Sequence, residues 1–150
     1  EESRIMTELG FRRADIKGTF HEVLDYTVVE WADGHVLVEM EVKPEHRNLG
    51  GSVHGGVLSS LIDLAGFLGG SWSPNGPGRS VTINLNASFI AGTNADVITA
   101  EGKRTHATKN TLFSKVWIRE KDSGKLLTTG QCTYKLLHPD TKESPGVAKK

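Results

Sequence analysis

Apolar residues fall on alternate positions through most of this chain, and one segment breaks the rhythm. The run Thr27-Val28-Val29-Glu30-Trp31 is followed by Ala32-Asp33-Gly34 and then by Val36, Val38, Met40 and Val42 at every second position. Alternation of this kind predicts a half-buried strand, and Asp-Gly between two such runs predicts a hairpin whose two central turn residues both take positive φ. Beyond the breaker cluster Ser73–Gly78 ("SPNGPG") four more runs follow. Val81, Ile83, Leu85, Ala87 and Phe89 form one face of the first; Ile98, Ala100 and Gly102 belong to the second; Leu112, Ser114, Val116 and Ile118 mark the third. After the turn Lys121–Gly124, the fourth carries Leu126, Thr128, Gly130, Cys132, Tyr134 and Leu136 on one side. Short connections between these four predict an antiparallel meander.

The break in the rhythm is "RNLGGSVHGGVLSSLIDLAG", residues 47–66. From Gly56 to about Gly70 the apolar residues Val57, Leu58, Leu61, Ile62, Leu64, Ala65, Phe67 and Leu68 lie nearly all round a helical cylinder, as in a buried helix. The elements are therefore two strands, one long helix and four strands, an α+β chain. A single helix among hairpins buries itself best in the concave face of a curved antiparallel sheet. Residues 1–20 mix charges with Ile5, Met6, Leu9 and Phe11 and read as an extension holding a short amphipathic helix. The segment 138–150, with Pro139, Pro145, Gly146 and several lysines, reads as a disordered tail. The domain itself is expected to close by residue 137.

Length and composition narrow the function. A chain of 150 residues fits one domain. Lys plus Arg and Asp plus Glu both total 18, so no global field draws in nucleic acid or an anionic membrane, and an anionic ligand needs a local basic cluster. The lone cysteine, Cys132, reads as a buried free thiol and points to a reducing compartment, the cytoplasm or alternatively the mitochondrion. No stretch reaches the ~20 apolar residues of a membrane span. The histidines at 21, 35, 46, 106 and 138 show no metal-ligand spacing, and "GGSVHGG" lacks the ending of a phosphate loop. Neither a metal nor a cofactor is expected.

Asp63 stands out because it interrupts an apolar helix. At 100° per residue it shares a face with Gly56, Ser59, Ser60, Gly66, Phe67 and Gly70. Those residues are mostly small, so the carboxylate is expected at an interface or in a narrow channel. An unpaired buried carboxylate is costly, which leaves two readings: a structural bridge across a subunit contact, or chemistry. Gly55 and Gly56 stand where the helix begins, and two bare N–H groups at a helix start suit a developing oxyanion. Asp63 lies roughly 10–12 Å further along the same helix. A site using both would draw them from two subunits, which is the physical basis for expecting a dimer.

Asn48, Gly50, the triplet His54-Gly55-Gly56 and Asp63 nine residues after the histidine resemble the signature of the hotdog-fold acyl-CoA thioesterases, of the phenylacetyl-CoA-pathway and thioesterase-superfamily-member-2 type. The likeness runs from about residue 20 to 137 and includes the Asp-Ser-Gly turn and "GKLLTTGQCTY". It implies a hotdog fold, a homotetramer built as a dimer of dimers, and hydrolysis of an acyl-CoA thioester in which CoA is part of the substrate. By resemblance, Asp63 is nucleophile or general base, the Gly55 N–H binds the thioester oxygen, Asn48 orients the attacked group or water, His54 braces the loop, and Ser80 assists the water. The family's nucleotide-binding turn falls on "KRTHATKNT", residues 103–111, which implies CoA contacts from His106, Lys109, Asn110 and, nearby, Lys135. Thr108 stands where the family usually has glycine. The blander reading of these charges is a solvated turn.

Two other functions compete. A hotdog hydratase or dehydratase would use His54 as proton carrier, and a non-catalytic acyl-CoA binder would use Asp63 only as a subunit contact. Trp31, Trp72 and Trp117 read as core or interface aromatics, with Trp72, Phe67 and Phe89 as candidates for the acyl pocket.

Overall fold

In a computed structural model of the protein, residues 16–138 are described. The alternating runs all become strands. A five-residue helix α1 (Phe20–Leu24) leads into β1 (Tyr26–Ala32) and β2 (His35–Glu41); a 3-10 turn (Pro44–His46) precedes the long helix α2 (Gly55–Ser71); then come β3 (Arg79–Phe89), β4 (Val97–Ala107), β5 (Thr111–Glu120) and β6 (Leu126–Leu137). The six strands make one antiparallel sheet in the order β1-β2-β4-β5-β6-β3. The expected helix within residues 1–20 lies outside the described residues as far as residue 15, and so does the tail from residue 139. No helix among the described residues is long and apolar enough to cross a membrane.

The core forms where α2 lies on the sheet. The helix buries Leu58, Leu61, Ile62, Ala65 and Leu68 against Val36, Val38, Met40, Ile98, Ala100, Leu112, Val116, Ile118, Cys132 and Tyr134, all nearly inaccessible. These are the alternate positions of the strands, so the period of two is satisfied by one covered face. Cys132 is a buried free thiol. Trp31 joins the core's edge, its Nε1 donating to the Leu68 carbonyl at 2.8 Å.

Three expectations are corrected. First, in the Asp33-Gly34 turn only Gly34 has positive φ (+76°); Asp33 does not. This is a turn that needs left-handed backbone at its second central residue alone, and Arg104 ties it down by pairing with Asp33 at 2.8 Å. Second, β4, β5 and β6 form a meander but β3 does not join it. Emerging from the end of α2, β3 lands beside β6 at the sheet edge, and the chain crosses back to β4 through residues 90–96. That crossing is pinned by Ile90 N–H to the Leu127 carbonyl (2.8 Å) and by Val53 N–H to the Thr93 carbonyl (3.0 Å). Third, Val81 and Ile83 do not share a face with Leu85. A β-bulge between Thr82 and Asn84 leaves Ile83 as the extra residue and flips the alternation. Ser80 and Thr82 therefore point toward α2 on one side of the bulge, and Leu85 and Ala87 on the other. Val81 (49% exposed) and Ile83 (60%) remain open on this edge strand.

Candidate active site

Asp63 sits midway along α2, half-buried, and opens into a cavity of about 510 Å³. Leu64, Phe67 and Leu68 of the helix, Phe20 and Leu24 of α1, and Tyr26 form its apolar walls, while Ser60, Ser80, Thr82 and Arg79 add polar groups to its lining. A volume of this size suits a small organic ligand. The Thr82 hydroxyl donates to Asp63 Oδ1 at 2.9 Å. Ser80, expected to assist beside Asp63, lines the same cavity, but the hydroxyl bonded to the carboxylate is that of Thr82. Sequence reading missed Thr82 because strict alternation put it on the outer face; the bulge at Ile83 brings it in.

Burial pushes the Tyr26 phenol up to about 12, so it stays neutral in the wall. Burial also raises the Tyr134 phenol far above its usual range, so it stays neutral and keeps its proton to donate. Its hydroxyl reaches the Asp63 main-chain carbonyl at 2.6 Å. Of the three aromatics considered for the pocket, Phe67 lines it; Trp72 caps the C-terminus of α2, and Phe89 lies beside Gly55.

Of the small residues on this face, Ser60 lines the cavity beside Asp63, but the glycines do not. Gly66 faces Tyr134 and Cys132, and Gly70 faces Leu112, so their smallness admits the protein's own sheet. Ser59 and Ser60 donate back to the carbonyls of Gly55 (2.9 Å) and Gly56 (2.7 Å). What leaves Asp63 accessible is its position at the margin of the helix–sheet contact.

At the helix start, His54 is the N-cap, and its Nδ1 accepts the Gly56 N–H at 2.8 Å. Only one of the two expected bare amides is therefore available: the Gly55 N–H, which has no acceptor among the described residues. The bond fixes the ring and directs the Nδ1 lone pair into the cap. Loss of a cap costs about 1 kcal/mol, so His54→Ala should lower Tm by about 2–4 °C. His54→Asn, which can cap, should hold both Tm and turnover near the parent. A fall of ~10²-fold in turnover with His54→Asn would instead make the imidazole a proton carrier.

The loop before the cap is equally built. Asn48 Oδ1 accepts from Gly50 N–H (2.9 Å) and Ser52 N–H (3.1 Å), closing the turn that carries fully exposed Leu49. Arg47 donates to the Gly51 carbonyl at 3.0 Å. Buried His46, which residue spacing offered no reason to single out, fastens this loop to α1. Its Nδ1 accepts from Lys43 N–H (3.0 Å), its Nε2 donates to the Val23 carbonyl (2.6 Å), and its own carbonyl accepts from His54 N–H (2.9 Å).

His106, Lys109, Asn110 and Lys135 are brought together at one end of β4, β5 and β6, all exposed. Lys135 pairs with Thr111 across β5–β6, and the His106 ring lies 6.0 Å from that of Phe113. Thr108 does without glycine: its backbone is not left-handed, and its hydroxyl accepts from Asn110 N–H (3.3 Å) and Thr111 N–H (3.0 Å) to close the turn. Among the described residues, no group of three or more His, Cys, Asp or Glu is placed to hold a metal ion.

Residues 50–127 match the family model described as the Thioesterase superfamily. The chain is 35% identical over 112 residues to acyl-coenzyme A thioesterase 13 of Homo sapiens, covering 73% of this chain and 79% of that protein. Among solved structures, it resembles zebra fish thioesterase superfamily member 2, with a TM-score of 0.75, 28% identity, and 83% and 92% of the two chains covered. It also resembles the phenylacetic acid degradation protein PaaI of Thermus thermophilus, with a TM-score of 0.69, 27% identity, and 79% and 98% covered.

Proposed function

This chain belongs to the thioesterase superfamily and is a hydrolase of thioester bonds with the hotdog fold; from that premise we propose that it hydrolyses acyl-CoA at a site shared by two copies of the chain. The observation that carries the proposal is the separation within α2. Asp63 faces the cavity, the amide at the start of α2 without an acceptor among the described residues is that of Gly55, and eight residues of helix put about 12 Å between them. A thioester oxygen must lie about 3 Å from its donor, so one thioester cannot engage both Gly55 and Asp63 of a single helix. A second copy supplies the missing partner.

The edge strand supports this pairing. β3 is 11 residues long, one edge is unpaired, and it exposes Val81 and Ile83, with Phe89 (57%) at its end. A long apolar edge of this kind invites strand pairing. Pairing there would also place Phe89, which abuts Gly55, in the shared site. A tetramer as a dimer of dimers is the further assembly expected.

In the reaction proposed, the Gly55 N–H of one copy donates to the thioester oxygen as negative charge develops there. Asp63 of the other either takes a proton from an attacking water or attacks the carbonyl carbon itself. When water attacks, the C–S bond breaks, the acid keeps the water oxygen, and the CoA sulfur departs as a thiolate that takes up the proton Asp63 removed. When Asp63 attacks, loss of the thiolate leaves a mixed anhydride on Asp63; water then hydrolyses it, releasing the acid, restoring the carboxylate and supplying the proton for the thiolate. Thiols ionise near pH ~8.5, so little acid assistance is needed. Thr82 occupies Oδ1, which leaves Oδ2 to react. Asn48 orients the attacked group or water, and Ser80 assists it. His106, Lys109, Asn110 and Lys135 hold the phosphates and base of CoA, with no separate cofactor. A reducing compartment, cytoplasmic or alternatively mitochondrial, belongs to the same proposal.

The test is release of free CoA thiol from short, long and aromatic acyl-CoAs, with sedimentation at micromolar concentration. Hydrolysis by a dimer or larger assembly is expected. Esters that bind and stay intact would leave a binder, hydration of an enoyl-CoA without thiol release would favour the hydratase, and an active monomer would remove the shared site.

A further inference from the structure

Thr82 and Tyr134 sit directly opposite each other across the β3–β6 ladder, and both reach the same residue of α2. One donates to the Asp63 side chain at 2.9 Å, the other to its main-chain carbonyl at 2.6 Å. We propose that Thr82 and Tyr134 form a two-point clamp that fixes the position and rotamer of Asp63 for attack, so that both are positioning residues of the hydrolysis. This rests on the reading of Asp63 as the reacting carboxylate.

Three independent features of the chain serve the clamp. The bulge between Thr82 and Asn84 turns the Thr82 hydroxyl inward; without it, either Thr82 or the Leu85–Ala87 segment would face away from the helix. Gly66, three residues beyond Asp63, makes room for the phenol: a Cβ there would lie 2.6 Å from the Tyr134 oxygen and 2.9 Å from Cys132 Sγ. The Phe67 ring, 5.8 Å from that of Tyr134, flanks the phenol from the cavity side. A main-chain hold fixes where the Asp63 Cα sits above the sheet, and a side-chain hold fixes χ1 and χ2. Together they remove the freedom that a carboxylate at a helix margin would otherwise keep. Misplacement of a reacting group by ~1 Å can lower turnover about 10²-fold, so a clamp of this kind acts on the chemical step.

The deciding experiment measures kcat, KM and Tm for Tyr134→Phe, Thr82→Val, Thr82→Ser and Gly66→Ala, with Asp63→Asn beside them. Removing one hydroxyl donor should lower kcat by about 3- to 10-fold with KM unchanged. Thr82→Ser should stay within about twofold of the parent while Thr82→Val falls. A residue that only packs would give the opposite order, because Val keeps the shape of Thr and Ser does not. Gly66→Ala attacks the same bond from the helix side and should reproduce the Tyr134→Phe split. Parent-like kcat in both Tyr134→Phe and Thr82→Val, or Val outperforming Ser, while Asp63→Asn is inactive, overturns the clamp and leaves the hydrolysis reading standing. Parent-like turnover by Asp63→Asn overturns both.

Discussion

Asp63→Asn is expected to lower turnover by at least ~10²-fold, the lower end of what a general base or nucleophile contributes, while assembly and Tm stay near the parent. The substitution is isosteric, and its surroundings tolerate it. Tyr134 bonds the main-chain carbonyl, which the change does not touch. The Thr82 hydroxyl can donate to the amide oxygen as it does to Oδ1. The cavity wall keeps its shape, and the amide lies at the half-exposed margin of the helix, where its N–H2 can be solvated. What disappears is the negative charge and the lone pair that attacks or accepts a proton. Comparing free thiol release by the two proteins, with sedimentation run on both, separates chemistry from assembly. Asp63→Asn hydrolysing at the parent rate would assign the carboxylate to the subunit contact instead.

Much of this site could be read from residue order, because its parts are local. The helix from Gly55 to Ser71, the cap at His54, the exposed turn at Asn48 and the place of Asp63 all lie in one continuous stretch, where spacing alone sets geometry. The hairpin between β1 and β2 and the buried alternate positions of β4, β5 and β6 were legible for the same reason. What alternation could not carry is a change of register. One extra residue at Ile83 flips a strand, and with it the face on which Ser80 and Thr82 lie. The place of β3 beside β6 was also hidden, since a short connection such as residues 90–96 predicts a neighbour but here crosses the sheet. His46 gave no signal because two of its partners, Val23 and His54, meet it only through the fold.

Helix glycines show a conflict between two local rules, and the fold decides it. Each of Gly66, Gly69 and Gly70 should weaken α2 by roughly 1 kcal/mol relative to alanine, so propensity alone predicts that Gly69→Ala stabilises. The packing predicts the reverse. A Cβ on Gly69 would lie 2.6 Å from the Gly102 carbonyl carbon, and a Cβ on Gly102 would lie 2.0 Å from the Ala65 carbonyl oxygen. Helix and β4 thus meet backbone to backbone, and no side-chain rotamer can give way. Overpacking typically costs about 1–3 kcal/mol where side chains can shift; here the helix axis must lift from β4, and Ile62, Ala65 and Leu68 would lose contact together. Gly102→Ala is therefore expected to cost about 3 kcal/mol or more, a fall in Tm on the order of 6–12 °C at roughly 2–4 °C per kcal/mol. Gly69→Ala should fall in the same direction by a smaller amount, because its helical propensity gain offsets part of the clash. Thermal melts of both variants against the parent test this: a Gly69→Ala protein melting above the parent would mean that α2 can rise from the sheet at little cost. In that case the height of Asp63 above β6, which the Tyr134 bond spans, would not be set by the core.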